Sequence, residues 1–151
     1  MILSVITFMM LLVWLILSNI RLSRLEIYST IFFATTLAYT VDHILGLNFR
    51  LYWYAGLYEM KFQDFIIVLG LYPLVNILFL NYFPGQKKFI WKIVYLLIWS
   101  LFALGYEWLA VQTGSFKHTG WKFRYSAPSY PVLYLILFYN LKFVRWLQRK
   151  G

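Results

Sequence analysis

Residues 89–111 read FIWKIVYLLIWSLFALGYEWLAV and hold only two charged side chains, Lys92 and Glu107. About 20 helical residues cross the hydrocarbon core of a bilayer, and this stretch is long enough to do so. Because lipid offers no hydrogen-bond partner for backbone amides, a spanning stretch of this kind must be helical. The segment therefore predicts a transmembrane helix, and with it a membrane protein.

Four further apolar stretches have the same character, and short polar or turn-rich joints separate them. They cover residues 1–20, 26–47, 64–83 and 129–147. The joint PGQKK at residues 84–88 is the clearest turn signal. Neither an alternating strand pattern nor an internal repeat is visible. The sequence predicts an all-α, polytopic membrane protein in which residues 1–151 form a single domain, a bundle of five transmembrane helices.

The distribution of charge predicts how this bundle is oriented. A cleaved signal peptide starts with positive charge, whereas here the first charges, Arg21 and Arg24, follow the first span, which we expect to be a retained helix. Nine of the 14 basic residues fall on the side of these two arginines, and four of the five acids fall on the other side. Under the positive-inside rule, the N-terminus is predicted outside and the C-terminus inside.

The composition also excludes several function classes. The chain is 62% hydrophobic and has no cysteine, which rules out disulfides, thiolate metal sites and cysteine nucleophiles. The net charge of +9 does not indicate nucleic-acid binding, because the basic residues are scattered at helix ends on both sides. Anchoring to anionic headgroups explains them. No phosphate loop, nucleophile elbow or paired-histidine zinc motif occurs, so neither a cofactor nor a metal is expected.

Two acids at membrane depth, Asp42 and Glu107, are the candidate catalytic residues. Ionisable side chains inside a bilayer are costly and commonly functional. The helical rise puts Asp42 about 24 Å along the second span and Glu107 about 27 Å along the fourth, at similar depth on the outer side. Small residues on the same helical faces let the two helices approach closely. We expect both acids to line one outward-open cavity; ion pairing with nearby basic residues is an equally open structural interpretation.

The two outer connections supply further candidates. Residues 49–60 carry apolar and aromatic side chains at helical spacing, which predicts a short interfacial helix. Residues 112–128 interleave basic and aromatic side chains, a pattern that binds phosphate-bearing headgroups, although an ordinary aromatic belt explains it too. The candidate ligand-binding residues of the whole chain are Tyr39, His43, Asn76, Trp108, His118, Trp121, Lys122, Arg124 and Tyr125.

Short motifs in the second half of the chain have a family resemblance. They are LNYFP at 80–84, YEW at 106–108, YS at 125–126 and YP at 130–131, together with Gly114 and Trp121. This pattern resembles a family of small, uncharacterised multi-pass membrane proteins found mostly in spore-forming Gram-positive bacteria, and it covers most of the chain. The resemblance implies a bacterial cytoplasmic membrane and a similar five-helix arrangement, and it carries no activity.

Three function classes remain open. The preferred one is a non-catalytic bundle that binds a lipid, in particular an anionic lipid, or a partner protein at the outer cavity. The second is a membrane-embedded enzyme that acts on a lipid or isoprenoid by acid/base chemistry at Asp42 and Glu107. The third, a proton-coupled carrier, lacks a polar path to the inner side. Ala34 and Ala38 also offer a small-residue helix contact, which can form within one chain or between two chains of a homo-oligomer.

Overall fold

The computed structural model describes residues 2–54 and 66–150, which are mostly helical. They form α1 (Ile2–Leu17), α2 (Arg24–Asp42, extended by a π-helical turn, His43–Asn48), α3 (a π-helical turn, Ile66–Leu71, continued by Tyr72–Asn81), α4 (Phe89–Gln112) and α5 (Phe123–Lys150). Two short strands, β1 (Tyr52–Tyr54) and β2 (Phe116–His118), pair outside the helices. The predicted all-α class is confirmed.

The lengths of the helices bear on the predicted membrane spans. Among the described residues, one helix, α4, is long and apolar enough to cross a bilayer by length and composition. Only 11% of its most apolar window is buried inside the protein, which is unlike the core helix of a soluble domain. Helix α1 and residues 67–81 of α3 are apolar and shorter. The five-span arrangement and its orientation thus stay predictions.

The last helix begins earlier than predicted. Helix α5 starts at Phe123 instead of residue 129, so Pro128 and Pro131 lie inside it. Proline has no backbone N–H, so each of the two removes one hydrogen bond from the helix. Pro128 and Pro131 are the sixth and ninth residues of α5, beyond the first four N–H groups that have no intrahelical partner. Each proline therefore leaves one carbonyl of the preceding turn, that of Arg124 or Ala127, without its helical donor. The second outer connection is correspondingly shorter, and its last residues are helical.

The interfacial helix predicted for residues 49–60 is wrong over its described part. Arg50 takes a positive φ of 53°, which ends the preceding helical turn. Residues 52–54 then pair antiparallel with residues 116–118, with Tyr52 opposite His118. The carbonyl of Leu51 accepts hydrogen bonds from three successive backbone N–H groups, those of residues 119–121. Long-range pairing of the two outer connections thus replaces the local helix, and residues 55–60 lie outside the described residues.

An aromatic core holds the middle of the bundle together. Phe79 and Leu78 on α3 are completely buried. The Phe79 ring packs against Tyr134 on α5, with centroids 4.4 Å apart, and against Trp99 on α4 at 5.8 Å. Rings in this distance range add attraction beyond the area they bury. The core therefore packs α3 against both α4 and α5.

The end of the bundle opposite the two strands is tied by polar contacts. Ser23 and Glu26 form a capping box at the start of α2. The other Glu26 oxygen accepts a hydrogen bond from Arg145 Nε on α5 at 2.6 Å. Asn81, at the end of α3, accepts from the backbone N–H of Arg21 and donates to the carbonyl of Asn19. These contacts tie α2 to α5, and tie the end of α3 to the joint between α1 and α2.

Candidate functional site

A cavity of about 540 Å³ lies among α2, α3, α4, α5 and the two-stranded sheet. Its volume falls in the range of small-molecule pockets, about 300–1,000 Å³. Most of its lining is apolar, from residues such as Leu37, Val75 and Leu133. Asp42 and Glu107 both line it, so the structure brings the two candidate acids to one cavity. The small side chains of α2 and α4 leave the space that the cavity occupies.

Glu107 is buried, and a hydrogen-bond network holds its carboxylate. Oε1 accepts a hydrogen bond from Ser126 Oγ at 2.8 Å, and Oε2 accepts one from the Tyr130 hydroxyl at 2.7 Å. Ser126 in turn accepts a hydrogen bond from Trp121 Nε1 at 2.6 Å. Ser126 and Tyr130 are four residues apart and therefore lie on one face of α5. The carboxylate is thus fixed in orientation from a single neighbouring helix.

His118 makes the remaining contact with this carboxylate. Its Nε2 lies 2.9 Å from Glu107 Oε1, which is within ion-pair distance. The ring N–H is not directed well enough at the oxygen to make a hydrogen bond. The contact is therefore electrostatic in character, and it constrains the orientation of the carboxylate less than the hydrogen bonds from Ser126 and Tyr130 do.

Asp42 is held from the sheet side. The Tyr52 hydroxyl donates to Asp42 Oδ1 at 2.7 Å, and Tyr52 is itself buried. Burial and the neighbouring Asp42 charge raise the pKa of the Tyr52 phenol well above its usual value. The phenol therefore keeps its proton and acts as a donor. Asp42 is thus held by a residue of the sheet, whereas Glu107 is held by α5 and only contacted from the sheet by His118.

The structure brings some of the sequence-predicted ligand-binding residues to the cavity and leaves others outside it. Asn76 and Trp121 line it, and His118 contacts Glu107. Six predicted residues are exposed and do not line it: Tyr39, His43, Trp108, Lys122, Arg124 and Tyr125. Neighbouring residues on a helix point about 100° apart, which is why His43 and Trp108 face away when Asp42 and Glu107 face in.

The basic and aromatic residues after α4 form a surface cluster instead of a pocket. Arg124 donates to the Tyr125 hydroxyl at 2.9 Å, and its guanidinium lies 4.9 Å from the centre of the same ring. Lys122 is exposed beside them. This cluster faces the surroundings of the protein at the level of the cavity.

Sequence reasoning missed three of the residues that hold the acids. In the sequence, Ser126 and Tyr130 stand out only as members of the family motifs, although their spacing of four residues is a helical signal. Tyr52 was assigned to an interfacial helix, and nothing local to it indicates its pairing with residue 118. Within residues 2–54 and 66–150, no group of three or more His, Asp or Glu side chains is placed to hold a metal ion.

Comparison of the chain with protein-family models, curated proteins and solved structures gives no match. The chemistry of the cavity is thus the observation from which a function can be inferred.

Proposed function

We propose that this protein is a small bacterial integral membrane protein whose outward-facing cavity binds a lipid or a similar amphiphile without reacting with it. The cavity carries this proposal: its lining is mostly apolar, and two carboxylates held in fixed positions interrupt it. An apolar pocket with a few convergent polar groups is the usual form of a ligand site. The proposal includes a five-span bundle in the cytoplasmic membrane, similar to the family of small multi-pass proteins from spore-forming bacteria.

The exposed surface of the helices supports a membrane setting. Leu17 is 80% exposed, Phe89 is 76% exposed and Ile2 is 73% exposed, and many other large apolar side chains on α1, α4 and α5 face outward. Soluble monomers rarely expose contiguous apolar surface on this scale. Lipid tails would cover it without cost, as they are equally apolar.

The positions of the basic residues support the proposed orientation. Exposed basic side chains occur at the joint between α1 and α2, at the joint before α4 and at the end of α5. These three places are at the end of the bundle where Glu26 and Arg145 meet, away from the cavity acids. A cytoplasmic end rich in Lys and Arg fits the positive-inside rule.

The hydrogen bonding around Ser126 argues against a serine nucleophile in this cavity. A serine nucleophile needs a base that takes its proton, usually an imidazole on its hydroxyl. Here Ser126 donates to the Glu107 carboxylate and accepts from the Trp121 indole, while His118 contacts the carboxylate. The network therefore holds Glu107 in place, and the serine has a structural part in it.

A membrane-embedded enzyme is the second candidate, because Asp42 and Glu107 line the same cavity. In that case Glu107 would serve as a general acid and Asp42 as a base, on a lipid or isoprenoid substrate. The two candidates differ in one observation. An enzyme loses turnover of the retained lipid in Glu107→Gln or Asp42→Asn, whereas a binder returns the lipid chemically unchanged in every variant.

Native mass spectrometry of the protein, gently extracted from its own membrane, tests the proposal. The unmodified chain is expected to retain one lipid class in one-to-one ratio. Ala103→Phe, which puts a ring into the cavity, should abolish retention, whereas Ala127→Phe, at an exposed alanine outside the lining, should not. Retention that is unspecific, or unaffected by Ala103→Phe, would refute the proposed site.

A further inference from the structure

The charge of the cavity lining restricts the kind of head that a bound amphiphile can carry. Among the described lining residues there are two acids, Asp42 and Glu107, and no Lys, Arg or His. A phosphate or sulfate head in this cavity would face two carboxylates in a medium of low dielectric, where like charges repel strongly. The basic residues Lys122 and Arg124, expected to bind an anionic head, are exposed outside it.

Within the described part of the chain, one acceptor position of the Glu107 carboxylate has no donor. Its Oε2 accepts one hydrogen bond there, from Tyr130, and a carboxylate oxygen has two lone pairs. Among the described residues, Ser126 and Tyr130 are neutral donors to the carboxylate, and His118 Nε2 lies at ion-pair distance from the other oxygen, 2.9 Å from Oε1, without an aligned hydrogen bond. A buried carboxylate is stabilised most by a well-placed positive charge. The pocket therefore offers a ligand cation a stronger contact than these neutral donors supply.

Aromatic rings surround the same end of the cavity. Tyr52, Phe116, Trp121 and Tyr130 all line it. The centroid of Tyr52 lies 5.1 Å from that of Phe116 and 5.8 Å from that of Trp121, so three of the rings form one group. Aromatic groups of this kind attract cations, and sets of them recognise ammonium ligands. The aromatic rings therefore favour the same ligand charge as the acids.

We propose that the amphiphile bound in this cavity carries a positively charged ammonium head, which lies beside Glu107 within the aromatic group. Its hydrocarbon body occupies the apolar part of the cavity, beside Leu37, Val75 and Leu137. This inference rests on the proposed function and adds the ligand class to it. The exposed basic cluster at Lys122 and Arg124 then meets the headgroups of bulk lipid and takes no part in choosing the ligand.

Three probes with the same twelve-carbon chain test the proposal: dodecyltrimethylammonium, dodecanol and dodecyl phosphate. Each is titrated into the protein in dodecylmaltoside micelles, and bound probe is counted by native mass spectrometry. The ammonium probe is expected to bind about thirtyfold more tightly than the alcohol, the difference that a desolvated cation–π contact produces. The phosphate probe is expected to bind most weakly.

Variants separate the charge effect from the cavity. Glu107→Gln should remove the preference for the ammonium probe and leave alcohol binding unchanged. The double variant Lys122→Gln and Arg124→Gln, whose changes lie outside the cavity, should alter neither the preference for the ammonium probe nor the binding of the alcohol. If Glu107→Gln does not fold, the relative affinities of the three probes for the unmodified chain still test the ammonium proposal. Equal binding of all three probes, or tightest binding of the phosphate, would overturn the ammonium proposal.

The same experiment shows which proposal fails. If all three probes bind equally and Ala103→Phe abolishes their binding, the cavity is a ligand site and only the inferred head is wrong. If no probe saturates, or if Ala103→Phe changes nothing, the cavity does not bind an amphiphile and the proposed function fails as well.

Discussion

Tyr52 and His118 are direct partners across the two-stranded sheet, and each reaches a different cavity acid. The Tyr52 hydroxyl donates to Asp42 at 2.7 Å, and His118 Nε2 lies 2.9 Å from Glu107. Residues directly opposite each other in an antiparallel pair project from the same face of the sheet, so both side chains turn toward the bundle. One pair of strand residues thus links the acids of α2 and α4.

Tyr52→Phe tests the link to Asp42. The change removes the phenol donor and leaves the ring, so Asp42 loses one hydrogen bond and the protein should lose about 1–2 kcal/mol of unfolding free energy. Unfolding in detergent, followed by circular dichroism, measures the change. The matched control is Tyr39→Phe, because Tyr39 is exposed and its ring stacks on His43; it should be neutral. Equal stability of both variants would mean that the Tyr52 bond contributes nothing.

Ser126→Ala tests the network around Glu107. Ser126 connects the Trp121 indole to the carboxylate, so its loss leaves a donor and an acceptor short of a partner and should cost about 2–3 kcal/mol. Ser100→Ala is the control: Ser100 is also buried, but its hydroxyl only bonds a carbonyl of its own helix. We expect the control to lie within about 0.5 kcal/mol of the unmodified chain. If Ser100→Ala were as destabilised as Ser126→Ala, the network around Glu107 would contribute no more to stability than any other buried serine hydroxyl.

The ion pair at the opposite end of the bundle should contribute to stability. Glu26 is 8% exposed at its side chain and Arg145 is 46% exposed, so water screens the arginine in part. Arg145→Gln should therefore cost about 1–2 kcal/mol, less than the loss of a fully buried pair. Arg149→Gln, at an exposed arginine four residues on, is the control and should have no measurable effect. A double-mutant cycle with Glu26→Gln checks the coupling: additive losses would show that the two side chains do not interact.

The absence of cysteine makes the proposed orientation easy to test. Thr119→Cys and Gly85→Cys each introduce a single thiol at an exposed residue, and Gly85 has open space around it. In intact cells a membrane-impermeant maleimide should label the first variant and leave the second unlabelled until the membrane is opened. Labelling of Gly85→Cys alone would reverse the orientation. Equal labelling of both variants in intact cells would contradict the spanning arrangement between them.

Local properties of the chain explain what the sequence could predict. The helical rise converts residue number into depth, so Asp42 and Glu107 could be assigned to one level without any knowledge of contacts. The same reasoning failed at residues 49–54, since their aromatic side chains fit a helical spacing equally well. Their pairing with residues 116–118 joins segments far apart in sequence, and no local pattern encodes such a register.

The side-chain contacts of the site were likewise beyond what local sequence patterns can predict. Ser126 and Tyr130 lie one helical turn apart on α5, but the predicted span begins at residue 129, so the sequence analysis leaves Ser126 in the preceding connection and predicts neither their common face nor the helix that it meets. The same holds for Glu26, whose partner Arg145 is 119 residues away in the chain. Such contacts depend on how whole helices pack, and packing is set by the summed fit of many side chains.

Photocrosslinking in the native membrane tests the central claim most directly, because it needs no extraction. A benzophenone amino acid replaces Tyr106, which lines the cavity, or Trp108, which lies exposed on the same helix. After irradiation, mass spectrometry identifies the attached molecule. We predict that position 106 captures one class of amphiphile, enriched far above its share of the membrane, while position 108 captures bulk lipid. The same bulk mixture at both positions would contradict the claim that the cavity is a ligand site.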